Sequence, residues 1–310
     1  MKALALHIAV IAGLWLLHGL LPAYHHGNMA RIMVLAVFAM GYNIAFGYTG
    51  LLSLGHALFL AAGMYAMGLG AQHFGTGALP GLILGTLAGG GIAGLVGLLA
   101  LRTAGVSFMI VTLMFAQAGY LTLLYFGAVT GGDEGFPLPA AARILAGLDL
   151  TQDGPRYLVA LALFSVGLMA QLALVQSRFG RVMVAMRENE DRSRMLGYNP
   201  FRVKLTALIL SGLYAGAAGA AYGLLFGYVG ASFATIQFSI LPMLYVLLGG
   251  AGTTLGPLLG AVLMFYLIDT ASTHSSAHLL VIGVALLVLV LFAPKGLLGT
   301  LRDRGIRWLP

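Results

Sequence analysis

Long apolar runs, separated by short polar or glycine-rich interruptions, organise this chain. A helix needs about 20 mostly apolar residues to cross the hydrocarbon core of a bilayer. On that measure the runs predict spans near residues 3–21, 29–47, 51–71, 79–101, 104–128, 156–176, 204–228, 236–250, 255–270 and 277–293. The first follows Lys2 as a signal peptide would, but no A-x-A cleavage site precedes Pro22, so an uncleaved span is expected. Two spans are irregular. The run at 236–250 is short, and 51–71 is punctuated by Gly55, Gly63, Gly68 and Gly70, so either is a candidate for a broken or re-entrant helix.

Composition agrees with this pattern. Apolar residues make up 60% of the 310 and mean hydropathy is +0.97, beyond what an ordinary soluble domain carries. The 45 glycines suit helices that approach closely in a membrane or break where they line a cavity. Cysteine is absent, which excludes disulfides and thiolate chemistry. The net charge of +7 marks topology, not a nucleic-acid footprint, because its basic residues cluster between apolar runs and at the C-terminus.

Seven of the 16 Lys and Arg lie between Arg178 and Lys204, interleaved with Glu188, Glu190 and Asp191. This segment and the tail with Lys295, Arg302, Arg304 and Arg307 are the strongest positive stretches, so both are expected on the cytoplasmic side. The loop at 129–155, with Asp133, Glu134, Asp149 and Asp153, then falls outside, and both termini fall inside. Within the charged segment, Val182, Ala185, Met186, Met195 and Leu196 recur at near-helical spacing. A short amphipathic helix is expected there, ended by Gly197 and turned back by Asn199 and Pro200.

The chain also matches itself at an offset of 180 residues. FGYTG from Phe46 falls on FGYVG from Phe226, pairing Tyr48 with Tyr228, and the register holds to Tyr65 with Tyr245 and Gly70 with Gly250. Five spans separate the copies, so they would be inverted, and inverted repeats place a substrate path at their interface beside discontinuous helices. The breaks at 47–55 and 227–237 are therefore candidate pathway lining, with Tyr48, Tyr65, Tyr228 and Tyr245 as landmarks.

No P-loop sequence is present, so energy from ATP would have to enter through another subunit. His274 and His278 lack a suitable third ligand nearby except Asp269; they read as wet loop residues, and no metal, cofactor or catalytic group is expected. Ser53, His56, Gln117 and Gln237 are polar groups inside apolar runs, suited to hydrogen bonding between helices or to lining a path. Mid-span Asp, Glu, Lys and Arg are missing, which disfavours an ion-coupled secondary transporter and a membrane-embedded enzyme.

Several segments together resemble one family: FGYTGLLSLGHALFLAAGMYA, RTAGVSFMIVTLMFAQ, TGGDEGFPLP, SRFGRVMVAMRENEDRSRMLGYNPFRVKL, LLGGAGTTLGPLLGA and APKGLLG. They are similar, in order and over almost the whole chain, to the LivM-type permeases of branched-chain amino acid ABC importers. The resemblance implies an all-α polytopic fold of about ten helices in two inverted halves, about 1–154 and 155–310, like the type II importer permeases, within one transmembrane domain. It implies a non-enzymatic subunit of a bacterial inner membrane. Its partners would be two ABC ATPase subunits, a second related permease, an extracytoplasmic solute-binding protein, a small amino-acid substrate and membrane lipid. The 177–203 loop would couple to the ATPase. Its E-A-A positions read Asp191, Arg192 and Ser193, with Gly197 as the motif glycine, and Arg187, Glu190, Asp191 and Gly197 are the expected coupling residues. Permeases of urea or short-chain amide importers are the nearest alternative.

Overall fold

The computed structural model describes residues 2–274 and 295–304, with isolated positions at 280, 283, 284, 287 and 291. The span expected at 277–293 falls mostly outside the described residues, as do His278 and Arg307. The helices are α1 (Lys2–His18), α2 (Ala23–Asn43), α3 (His56–Phe74), α4 (Ala78–Ala100), α5 (Gly105–Tyr125), α6 (Gly127–Thr130), α7 (Asp153–Gln176), α8 (Arg178–Glu188), α9 (Glu190–Met195), α10 (Pro200–Phe226), α11 (Ile236–Gly249), α12 (Gly256–His274) and α13 (Gly296–Arg304). Among the described residues six helices are long and apolar enough to cross a membrane, while α1 and α11 are apolar but shorter. The chain is thus a helical, multi-pass membrane protein.

Two of the expected spans do not run straight. The helix before residue 51 loosens into a π-helical turn at Ile44–Tyr48, and regular winding resumes only at His56. The chain after α10 likewise leaves the helix, forming the strand β4 (Tyr228–Val229) and a 3-10 turn at Ala231–Ala234 before α11 begins. The α3 and α11 starts, His56 and Ile236, stand 180 residues apart, the offset of the sequence repeat.

Small residues decide the packing. Helix α10, about 40 Å long at 1.5 Å per residue, receives α3 and α4 along a glycine seam. A Cβ placed on Gly216 would lie 2.5 Å from the Gly85 carbonyl, and one on Gly89 would lie 2.5 Å from the Gly216 Cα. Backbone-to-backbone approach of this kind replaces the hydrophobic drive that lipid does not supply. Helices α11 and α12 pack on α2 as α3 and α4 pack on α10, and α7 covers another side of α2. Twelve of the 19 residues of α3 are buried, His56 and Tyr65 among them, while Gln72 and His73 at its far end are exposed.

The segment between α6 and α7 is pinned to the end of α10. Strand β1 (Phe136–Pro137) pairs antiparallel with β4, while β2 (Ile144–Leu145) and β3 (Leu148–Asp149) form a hairpin. Gly227, at φ +72°, closes α10 in the left-handed region that glycine tolerates. The Arg143 guanidinium donates to the Leu224 and Leu225 carbonyls at 2.9 and 2.7 Å, a cation where the helix dipole is negative. The Thr151 backbone N–H and hydroxyl donate to the Asp149 carboxylate and hold it below its usual pKa.

The glycine seam gives a direct test. Gly216→Ala forces α4 and α10 apart and should lower the melting temperature of the detergent-solubilised chain, whereas Gly91→Ala, with open space around it, should not. Equal melting temperatures in the two variants would contradict the seam.

Candidate functional site

The charged segment folds as two short helices, not the single one expected. Ser177 caps α8, its Oγ accepting from the Gly180 N–H at 3.1 Å. Asn189 then adopts an extended backbone, φ −158°, and its Oδ1 accepts from the Arg192 N–H at 2.8 Å, so one residue both stops α8 and starts α9. Gly197, at φ +89°, follows α9, and Asn199 with Pro200 begins α10. The break divides the apolar stripe. Met183 and Met186 turn inward, packing with Ile44, Tyr48, Val203 and Ala207, while Met195 and Leu196 are 86% and 71% exposed.

The four coupling candidates separate in the same way. The Arg187 guanidinium donates to the Gly47 carbonyl at the π-helical turn, and its Nη1 stands 3.0 Å from where a Gly252 Cβ would be. Glu190 is engaged within the chain, 2.5 Å from the Lys204 ammonium and 3.4 Å from Arg194. Asp191 points away, its side chain 82% exposed and its only pairing among the described residues a 3.7 Å approach to Arg194. Gly197 is also exposed.

Beneath α8 lies the first helix break, where residues 49–55 are not helical. Backbone groups freed inside a membrane protein must find partners in protein; here Asn43 serves the neighbouring 252–253 turn, while Thr112 and Ser239 serve residues 54 and 57. Asn43, fully buried, donates to the Thr253 carbonyl at 2.8 Å and accepts from the Gly252 N–H at 2.9 Å. Thr112 of α5 accepts from Leu54 N–H at 3.1 Å, and Ser239 of α11 accepts from Ala57 N–H at 3.0 Å. Asn43, Thr112, Ser239 and the 250–255 turn were not among the sequence candidates. Asn43 carried the same signal as Ser53 or His56, a polar residue alone in an apolar run.

The remaining candidates do not converge on one place. Tyr48 is buried under α8, in contact with Met183 and Met186 across the apolar cluster. Ser53 accepts from Gly55 N–H at 3.1 Å, and His56 Nε2 lies 2.7 Å from the Ser211 hydroxyl of α10. Tyr65 and Tyr245 are buried, Tyr65 packing its edge on Phe136. Tyr228, the repeat partner of Tyr48, sits in β4 and donates to the Glu134 carbonyl at 2.8 Å. Gln117 of α5 and Gln237 at the start of α11 are exposed on the outside of the chain.

A helical, multi-pass membrane protein with a charged two-helix segment seated on a broken span has the construction of a membrane transport subunit. The chain belongs to the family of branched-chain amino acid transport system permease components, whose profile matches residues 27–291. It is 30% identical over 298 residues to the high-affinity branched-chain amino acid transport system permease protein LivM of Salmonella typhimurium, spanning 88% of this chain and 69% of that one. The LivM protein of Escherichia coli is 29% identical with the same coverage. The LivH permease of Salmonella typhimurium is 24% identical, covering 85% of this chain and 91% of its own. No solved structure gives a significant match.

Removing the Asn43 amide leaves two buried backbone groups of the 252–253 turn unpaired, at a cost of about 1–3 kcal/mol each. Asn43→Leu should therefore speed maleimide labelling of a cysteine placed at the half-buried Ala251. An unchanged labelling rate would show that the turn does not depend on Asn43.

Proposed function

We propose that this chain is the membrane-spanning permease of an ATP-driven importer of branched-chain amino acids, driven by separate ATPase subunits that grip the 177–203 segment. The carrying observation is the Arg187 hydrogen bond to Gly47, which fastens the proposed ATPase-facing helix to a break in a membrane span. Force applied to α8 reaches the backbone at Gly47 and, through Asn43, the turn at Gly252. Alternating access then follows as a shift between two packings of the broken spans.

The parts take distinct roles in this reading. Met195, Leu196 and Asp191 form the outward docking face, Asp191 being the carboxylate offered to the ATPase. Glu190 holds α9 to α10 through Lys204. Gly197 ends the docking helix, and Arg187 is the link to the span. His56, Ser53, Tyr48, Tyr65 and Tyr245 set the geometry of the two breaks, whereas the outward Gln117 and Gln237 line a path shared with a second permease subunit. Tyr228 belongs with the 129–155 loop, the surface that receives an extracytoplasmic solute-binding protein.

Ten spans in two inverted halves, with both termini cytoplasmic in a bacterial inner membrane, complete the reading. Two features support the inversion. The break holding Tyr48 meets α8 beyond one end of α7, while that holding Tyr228 meets β1, in the loop preceding the other end of α7. The pairing of α3 and α4 with α10 is also repeated by α11 and α12 with α2.

The test is uptake by the assembled transporter in proteoliposomes. Leucine should accumulate only with ATP and the ATPase subunits present. Arg187→Ala removes one hydrogen bond to a charged group, about 1.5–3 kcal/mol, and should cut uptake per ATP hydrolysed by about tenfold or more while ATPase subunits still copurify. Asp191→Asn should instead weaken copurification. Uptake without ATP would refute the importer reading, and normal coupling in Arg187→Ala would refute the link.

A further inference from the structure

Three arginines stand at the end of α10 beside the 129–155 loop, and two of them are committed. Arg143 holds the Leu224 and Leu225 carbonyls, while Arg156 pairs with Asp153 at 2.9 Å and donates to the Thr151 carbonyl at 2.7 Å. Arg31 differs. Its guanidinium stands 5.0 Å from the centre of the Phe226 ring, which Arg156 also approaches at 5.8 Å. It has no hydrogen-bond or ion-pair partner among the described residues, and its Nε is buried. A ring face offsets only part of the cost of holding a cation there.

The position makes that cost matter. Arg31 lies about two turns inside α2, the most enclosed of the membrane-length helices, with Met29, Ala30, Ile32 and Met33 buried around it. Protein, not lipid, surrounds it, and a cation held inside a helical bundle marks a substrate or ion route. Asn28, three residues earlier and so on the same face, also has a buried amide nitrogen without a partner. Two donors thus share one face and lack an acceptor. An aromatic wall adjoins them. Tyr222 meets Phe226 at 4.6 Å and Phe233 at 5.0 Å, and Phe233 meets Phe238, the residue after Gln237, at 4.8 Å. The rings therefore lead from Arg31 toward the proposed path. Donors for a carboxylate beside apolar rings match an amino acid with an apolar side chain.

We infer that Arg31, with the Asn28 amide beside it, binds the carboxylate of the transported amino acid, and that the Tyr222 and Phe233 rings receive its branched side chain. The site holds substrate beneath the 129–155 loop, before it reaches the path at Gln237. The inference rests on the importer reading above and adds where in this chain the substrate is held.

Saturation-transfer NMR on the assembled transporter, without binding protein or nucleotide, tests it with leucine, isocaproate (leucine without its amine) and leucinol (leucine without its carboxylate). The methyl groups of leucine and isocaproate should show transfer, and those of leucinol should not. Arg31→Gln should weaken leucine binding about tenfold or more, the worth of a hydrogen bond to a charged group, and Arg31→Lys should keep part of it. Neither should lower the melting temperature, because no hydrogen bond of Arg31 within the described chain is lost. Equal binding of leucine and leucinol, undiminished binding in Arg31→Gln, or loss of binding only with a lowered melting temperature would overturn the site. Acetate competing as well as isocaproate would show a site for any small anion and would overturn the substrate assignment. ATP-driven leucine uptake with no leucine signal in the wild type would overturn the site and leave the importer standing; leucine held at Arg31 without ATP-driven uptake would do the reverse.

Discussion

The structure depends on how the backbone groups freed at residues 44–55 are satisfied. A helix opened inside a membrane protein exposes N–H and C=O groups that lipid cannot pair, each costing several kcal/mol. Thr112 from α5 and Arg187 from α8 meet that demand at Leu54 and Gly47, Ser239 from α11 takes the Ala57 N–H just beyond the break, and Asn43 ties the turn at 252–253 to the same place. The break is thus the junction at which elements far apart in sequence are joined, and the opened conformation persists only while they stay in place.

The second break solves the same problem differently. The chain leaving α10 pairs its backbone with β1, and Arg143 takes the last carbonyls of α10. Here the partner is a loop outside the spans, held by strand pairing and a guanidinium. One break is therefore fastened to the charged segment and the other to the 129–155 loop, so a displacement at either surface acts on a different discontinuous span. The bundle between them is tightened by backbone contacts at Gly85, Gly89 and Gly216, which pass motion on with little give.

Much of this arrangement was legible in the sequence. The helices follow apolar runs of membrane length, and the interruption after Tyr48 was marked by clustered glycines and by its 180-residue repeat. Other features were not legible because they depend on facing. Gln117 and His56 read alike as polar residues in apolar runs, yet one is exposed and the other is held by Ser211. Asn189 looked like one more polar residue in a charged stretch; only its capping bond to Arg192 N–H shows that it splits the helix. Arg187 read as an ATPase-coupling residue of the charged segment, and nothing in the spacing brings residue 187 to the carbonyl of residue 47.

If Arg187 fastens α8 to the first break, the two move as one body. The chain has no cysteine, so it adds no background of its own to a pair of spin labels. The decisive measurement is the interspin distance between labels at Val184 and Ala251 in the assembled transporter, with and without trapped ATP, alongside a reference pair at Val184 and Ile144. The account predicts a narrow, unchanged distance for the first pair while the reference pair shifts. A distance from Val184 to Ala251 that changes or broadens on ATP binding would contradict it.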